Sequence, residues 1–355
     1  MSTVEPLEQL KKEIDSIQYS VNSLQSKARL TSLRDAVEDL QTNINSLLQK
    51  VKDLRARGYP FEKQLEGKAS DFAQQWASLH PSVFSQIDQQ AAALEWALRP
   101  IEEQFRQLIA QSKVPSVAQP LVTQIKAAIS TLESKISAVS SDIEGMYDGL
   151  EKQVKEFVAH LSEVDWMLNQ FAEATFQLLP TEAGIMAVKA TWMKGGKKDA
   201  GDPKGILYLT DQRLIFEQKQ EMVTKKVLFI ATEKEKVQKV LLEVPVVLVE
   251  TIKASKQGLF GHEDHIYLNF AADAPEQAAH FHMDGQDCNN WQGLVGRAKA
   301  RDFDQDRAIP LDQSQVEKVR SAPTECPHCG AAITKPVLRG MDSIQCEYCG
   351  KVIRL

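Results

Sequence analysis

Gly205-Ile-Leu-Tyr-Leu-Thr-Asp-Gln-Arg-Leu-Ile-Phe-Glu217 reads as two short strands, 205–210 and 213–217, around a tight turn at Asp211-Gln212. Outward from this hairpin the period-2 pattern continues. Residues 185–193 make a strand before it, and 226–230, 246–254, 265–270 and 279–283 are strand candidates after it. A helix over 286–300 carries Trp291 and Leu294 on its apolar face. Many short strands closed by one helix describe a small curved antiparallel sheet whose open edge the helix plugs.

The residues of the hairpin resemble the signature hairpin of GRAM domains, members of the pleckstrin-homology-like superfold. Val244-Pro-Val-Val-Leu-Val-Glu-Thr-Ile-Lys253, followed by Gly258-Leu-Phe-Gly261, is similar to the next strand and turn of that family. The resemblance covers about residues 180–300 and implies a binding module for lipid head groups or protein peptides, not an enzyme. It directs attention to the loop between the first two strands. There Lys194, Lys197, Lys198 and Lys204 surround Gly195-Gly196, a candidate lipid or anion site in which ammonium groups on a flexible backbone wrap a phosphate. Asp199 and Asp202 halve that charge, and a solvated loop is the plainer reading. Lysines 225, 226, 234, 236 and 239 alternate with Glu233 and Glu235 as an exposed insertion does.

The last residues carry the most specific chemistry. Cys326-Pro327-His328-Cys329-Gly330 is answered by Cys346-Glu347-Tyr348-Cys349-Gly350, two C-x-x-C pairs with room for a hairpin between them. Thiolates are soft ligands, and four of them complete a tetrahedral shell, so Cys326, Cys329, Cys346 and Cys349 are the expected ligands of one structural zinc per chain. Gly330 and Gly350 suit the positive φ that follows each pair. A closed four-thiolate shell leaves no position for water, which excludes catalysis by that metal. The segment resembles a zinc ribbon. Its side chains balance to nearly zero charge, which disfavours nucleic acid.

The first half is helical. Apolar positions run Leu7, Leu10, Ile14, Ile17, Val21, Leu24 and Ala28, then restart two residues out of step at Leu30, Leu33, Val37, Leu40, Ile44, Leu47, Val51 and Leu54. A break at 28–32 follows, with Thr31 or Ser32 placed to cap the restart. Gly58-Tyr59-Pro60 ends the segment, and Pro81 and Pro100 are expected to interrupt or kink what comes next. A third seam from Ile125 to Phe171 is expected to be the longest uninterrupted helix, with stutters after Ala128 and Met146. Three segments of about 50 residues suggest an antiparallel bundle of long helices. Trp76, Trp96 and Trp166 are read as its core.

Residues 1–178 hold 18 Lys and Arg against 24 Asp and Glu, while the remainder holds 24 of each, so no electrostatic footprint for nucleic acid stands out. Neither a basic leader with an apolar run nor a stretch near the roughly 20 apolar residues of a membrane span is present. Walker, dinucleotide-binding and nucleophile-elbow signatures are absent as well. His280 and His282 share a strand face and read as histidines with ordinary partners, and Asp302, Asp304 and Asp306 as part of a polar linker, not a calcium loop.

The expected architecture is multidomain α+β: a helical bundle or coiled coil over 1–178, a GRAM/PH-like domain over 180–301, a linker over 302–321 tethering loosely, and a zinc ribbon over 322–355. The expected role is a non-enzymatic cytoplasmic adaptor with a protein partner, peripheral membrane contact and self-association through the helices being open. A nucleic-acid factor using the ribbon, or a regulatory subunit of an enzyme supplied in trans, are the alternatives.

Overall fold

The computed structural model describes residues 4–195, 199, 201–227 and 230–355. The chain divides into two units, Met1–Lys50 with Glu66–His160, and Val51–Leu65 with Leu161–Leu355.

Five helices build the first half: α1 Val4–Ala28, α2 Thr31–Ala56, α3 Leu65–Gln111, α4 Pro115–Glu144 and α5 Asp148–Ala172. The seam residues Leu10, Ile17, Val21 and Leu24 of α1, and every seam residue from Leu30 to Leu54, are buried. The break falls where the register jumps, with Leu30 at a φ of 53° between α1 and α2. Gln25 donates to Glu102 at 2.6 Å, Arg34 pairs with Asp88 at 2.6 Å, and the Trp76 indole donates to Gln41 at 2.6 Å. Rising numbers on α1 and α2 thus meet falling numbers on α3, and the helices are antiparallel. Ring pairs Phe72–Phe157 at 5.5 Å and Trp76–Tyr147 at 6.3 Å set α3 against α5 in the same sense. Glu13 with Lys126 at 2.8 Å and Lys27 with Glu133 at 3.9 Å lay α1 and α4 side by side in one direction. The expected bundle of three long segments is present, the first and third broken once each.

Three expectations about these helices are corrected. Pro81 and Pro100 do not interrupt α3, which at 47 residues is the longest helix. Both prolines are exposed, so water can take the carbonyls they leave unpaired. The cost of about 3 kcal/mol for an interior proline is offset by neighbours such as Val83 and Ile87, both at 0% exposure, each contributing roughly 1.5–3 kcal/mol on burial. The third seam is not one helix. It breaks at Gly145–Tyr147, at the Met146 stutter, where Tyr147 turns inward and is buried. Trp96 is not core but 70% exposed, Trp76 is buried, and Trp166 is half-buried.

In the second unit, seven antiparallel strands follow: β1 Gly184–Trp192, β2 Lys204–Thr210, β3 Arg213–Val227, β4 Ile230–Pro245, β5 Val249–Gln257, β6 Glu263–Phe270 and β7 Ala278–Asp284. Their order in the sheet is β4-β3-β2-β1-β7-β6-β5, and α6 Cys288–Ala300 follows them. Trp192, Phe216 and Phe281 meet at 5.1–5.9 Å between ring centres in the core. Trp291, Val295 and Ala298 of α6 are buried with them. A seven-stranded antiparallel sheet closed by a C-terminal helix is the pleckstrin-homology-like layout expected. Residues 206–209 of β2 are all buried, because Tyr208 is covered on the other face by Phe171 and Phe176 at 4.9 and 5.1 Å.

Residues 226–230 do not form a separate strand. β3 and β4 instead run as one long hairpin paired from Arg213↔Pro245 out to Val227↔Ile230. The alternating Lys and Glu of 233–239 hid it, since a run of charges shows no hydrophobic period. The expected strand at 246–254 starts later, after a single 3₁₀ turn over Val246–Leu248. No helix among the described residues is long and apolar enough to cross a membrane.

Candidate metal centre

The C-terminal segment folds around two near-identical turns. The Cys326 amide donates to the Ala331 carbonyl at 2.8 Å and the Gly330 amide to the Cys326 carbonyl at 2.8 Å. In the second turn Cys346 donates to Lys351 at 3.0 Å and Gly350 to Cys346 at 2.9 Å. Gly330 and Gly350 close these turns at φ of 76° and 71°, where a side chain would be strained. Strands β8 Ser343–Gln345 and β9 Val352–Arg354 pair across the second turn. Cys326, Cys346 and Ile353 form a minimal core, with Ile333 and Ile344 packed against it.

The four sulfurs converge. Cys326 Sγ lies 3.7 Å from Cys349 Sγ, Cys329 Sγ lies 3.7 Å from Cys346 Sγ, and all four atoms fall within 4.8 Å of one another. A tetrahedral site with Zn–S of about 2.3 Å has sulfur–sulfur edges of about 3.8 Å, so the cluster fits a tetrahedral metal. None of the sulfurs is in a disulfide. The amide of Cys349, aided by that of Tyr348 and by neighbouring thiols, lowers the Cys346 thiol to about 6. At Cys329 the Ala331 amide favours the thiolate, but burial and the other three sulfurs outweigh it and push the thiol up to about 12. The Cys346 thiol thus ionises well before that of Cys329. His328 is exposed and does not join the four sulfurs.

The ribbon is held against the sheet by the signature turn between β2 and β3. The Thr210 hydroxyl donates to Glu182 and accepts from the amides of Gln212 and Arg213 at 3.0 and 2.7 Å. Arg213 donates to Glu182, to Glu243 at 2.6 Å and to the Gln177 carbonyl at 2.8 Å. Asp211 accepts from the Ala183 amide at 3.0 Å, from Arg307, and from Arg339 at 2.6 Å. Arg339, in the ribbon's spacer, also makes two 2.8 Å bonds to Asp304. The side chains of Asp211, Arg307 and Arg339 are all buried.

The linker is therefore not loose where it begins. Phe303 is buried 5.4 Å from the ring of Phe61, Arg297 and Arg307 stack on this aromatic pair, and the Ala308 amide donates to the Pro60 carbonyl at 2.7 Å. A short helix α7 Gln313–Arg320, capped by Asp312, fills the rest. The aspartates that looked like a linker include Asp304 as an ion-pair partner. The composition was polar because the segment is built from charges that are compensated on folding.

Of the candidate anion-site lysines, Lys194 and Lys204 are exposed, and Lys197 and Lys198 lie outside the described residues. The register Thr191↔Lys204 puts Lys204 at the same end of the β1–β2 pair as Lys194, whose Nζ sits 4.4 Å from the Trp192 ring centre. Asp202 is buried and accepts from the Asp199 amide at 2.8 Å, while Asp199 accepts from the Gly201 amide at 2.8 Å. These carboxylates tie the loop as well as lower its charge. Lys236 and Lys239 are exposed on β4.

His280 and His282 lie on β7, and the structure brings His265 of β6 to them, a grouping not legible in the sequence because it is made across the strand pair. Burial above all, with the neighbouring imidazoles, lowers His280 to about 4, and burial also lowers His265. Cys288 is buried at the start of α6, where its amide donates to Asp264 at 2.9 Å and burial raises its thiol.

Neither a protein-family model nor a curated protein matches the chain. Among solved structures it is similar to the Vps36 N-terminal PH domain, at 15% identity over 35% of this chain and 84% of that one, with a TM-score of 0.25. A DUF1696 family protein with a pleckstrin-homology domain from Shewanella loihica PV-4 is 14% identical over 38% and 92%, with a TM-score of 0.23. The DH/PH domains of PDZ-RhoGEF, in complex with GTP-γ-S activated RhoA, are 12% identical over 84% and 96%, with a TM-score of 0.26. Scores this low carry no argument, so the pleckstrin-homology-like layout rests on the strand order, the register and the helix that closes the sheet.

Proposed function

We propose that the chain is a non-enzymatic adaptor whose GRAM-like module binds an anionic membrane surface, with a structural zinc ribbon as a fixed part of the module. The observation that carries this reading is the use made of the signature turn. Thr210, Asp211, Gln212 and Arg213 are buried and spent on internal partners, so ligand recognition falls to the other end of the β1–β2 pair. Lys194 and Lys204 are exposed there, and Lys197 and Lys198 are their neighbours in sequence. Ammonium groups beside a glycine-bearing loop suit phosphate head groups.

In the ribbon, Cys326, Cys329, Cys346 and Cys349 would hold one zinc. Zinc supplies the cross-link that a core of Cys326, Cys346 and Ile353 cannot replace. A closed shell suits structure and not catalysis. Lys335 pairs with Glu347 at 2.8 Å and Arg339 faces Asp211, which draws two of the ribbon's cations away from any phosphate backbone.

Flotation of the full chain with vesicles of neutral lipid, with and without phosphoinositide, tests the reading. Binding to the phosphoinositide vesicles that is lost in a Lys194→Glu/Lys197→Glu/Lys198→Glu variant supports it. Absence of flotation by the wild type at low salt sinks the membrane reading and leaves a protein partner.

A further inference from the structure

The geometry points to a second metal site: we propose that Glu263, His265 and His282 bind a divalent transition-metal ion of the zinc class, with His280 positioning His265.

β6 and β7 are antiparallel, and His265 lies directly opposite His282, as Tyr267 lies opposite His280. Side chains alternate along a strand, so these residues share one face with Glu263, while Ile266, Leu268 and Phe281 point into the core. The ligand atoms of Glu263, His265 and His282 all fall within 4.8 Å of one another. His265 Nε2 stands 3.4 Å from Glu263 Oε2. That is long for a charge-assisted hydrogen bond, yet it matches the ligand–ligand edge of about 3.4 Å in a tetrahedral shell with metal–ligand bonds of about 2.0–2.1 Å.

The other ring nitrogen completes the pattern. His265 Nδ1 is 3.0 Å from His280 Nε2, within hydrogen-bond distance, so a metal on His265 Nε2 would leave Nδ1–H to donate to His280. In that tautomer the lone pair of His265 lies on Nε2, on the side of the Glu263 carboxylate. Metal-bound histidines hold their second N–H in this way, which fixes tautomer and ring angle. The His280 ring is itself fixed by stacking on Tyr267 at 4.0 Å and 18°. His282 Nδ1 is buried without a hydrogen-bond partner, 3.7 Å from Asp284 Oδ1.

The ligand set decides the class of ion. Two imidazoles and a carboxylate suit zinc, nickel, copper or cobalt and not magnesium or calcium, which take oxygen. His265 and His282 are buried, whereas the Glu263 side chain is half-exposed, so the site opens to solvent on one side. Three protein ligands with an open position leave room for water or an anionic ligand, in contrast to the closed thiolate cluster.

Equilibrium dialysis of the full chain against zinc, after complete loading of the cysteine cluster, tests the proposal. The wild type is expected to take up a further equivalent, with His282→Ala and Glu263→Gln losing it and the Cys346→Ser chain keeping it. His280→Ala is expected to weaken it by about 10- to 100-fold. Glu263 is exposed, so its variant guards against loss of fold, checked by an unchanged circular dichroism spectrum. Saturation of the wild type at the cysteine cluster alone overturns the proposal, and so does a further equivalent that neither Glu263→Gln nor His282→Ala reduces.

Discussion

Gln212 and Arg339 lie 127 residues apart and exchange two hydrogen bonds: the Arg339 amide donates to Gln212 Oε1 at 2.6 Å, and Gln212 Nε2 donates to the Arg339 carbonyl at 3.0 Å. A side-chain amide here takes the place of a neighbouring strand. Both residues are buried, so neither backbone group has water as a substitute. Gln212→Ala leaves a buried donor and acceptor unpaired, and a loss of about 2–6 kcal/mol is expected at roughly 1–3 kcal/mol for each. Urea denaturation measures it, and a change below about 1 kcal/mol would show that the contact is not maintained.

Asp211 compensates two guanidinium groups at once, and Asp211→Asn removes that counter-charge from both. Removing one partner of a buried ion pair typically costs about 3–5 kcal/mol. Hydrogen exchange should rise at 338–341 in this variant while the helices α1–α4 exchange as before. Uniform exchange in wild type and variant would contradict the docking role.

What could be read in the sequence was the local part. The knuckle spacing, the seam of Leu30 to Leu54 and the hairpin at 205–217 each carry their signal within a few residues. The roles of Asp211, Gln212 and Arg213 could not be read this way. They looked like turn residues because they are turn residues, and their partners Glu182, Arg307 and Arg339 are distant in the chain. Residues 206–209 did hold an unread clue: an apolar run without alternation marks a strand covered on both faces. The grouping of His265 with His280 and His282 could not be read either, since strand pairing and not sequence proximity brings them together.

Chelation of zinc, or Cys346→Ser, is expected to unfold residues 324–355, because the ribbon's own core is three buried residues. Arg339 then leaves Asp211, so the module should also unfold at lower denaturant. Metal analysis together with hydrogen exchange checks both effects. Full protection of 324–355 in the chelated protein would exclude a metal-dependent ribbon.

Asp287 caps α6, accepting from the Asn289 amide at 2.7 Å, and pairs with Lys256 at 2.8 Å. The Lys256 bond first, then the Asn289 amide, lowers its carboxyl to about 2. A carboxyl depressed in the folded state stabilises fully above its unfolded value of about 3.9 and ceases to do so as pH falls through about 2. Asp287→Ala should cost about 1 kcal/mol at neutral pH, and its gap from wild type should close across that acid window. A gap independent of pH would assign the effect to packing.

The pairing of Asp211 with both Arg307 and Arg339 also orders events in time. A ribosome delivers Asp211 well before Arg339 exists, so the nascent sheet holds a carboxylate whose second counter-charge has not been made. The module can reach its final stability only once the ribbon has been synthesised and has closed. A product interrupted before Arg339 would leave Asp211 with Arg307 as its one guanidinium partner of the two.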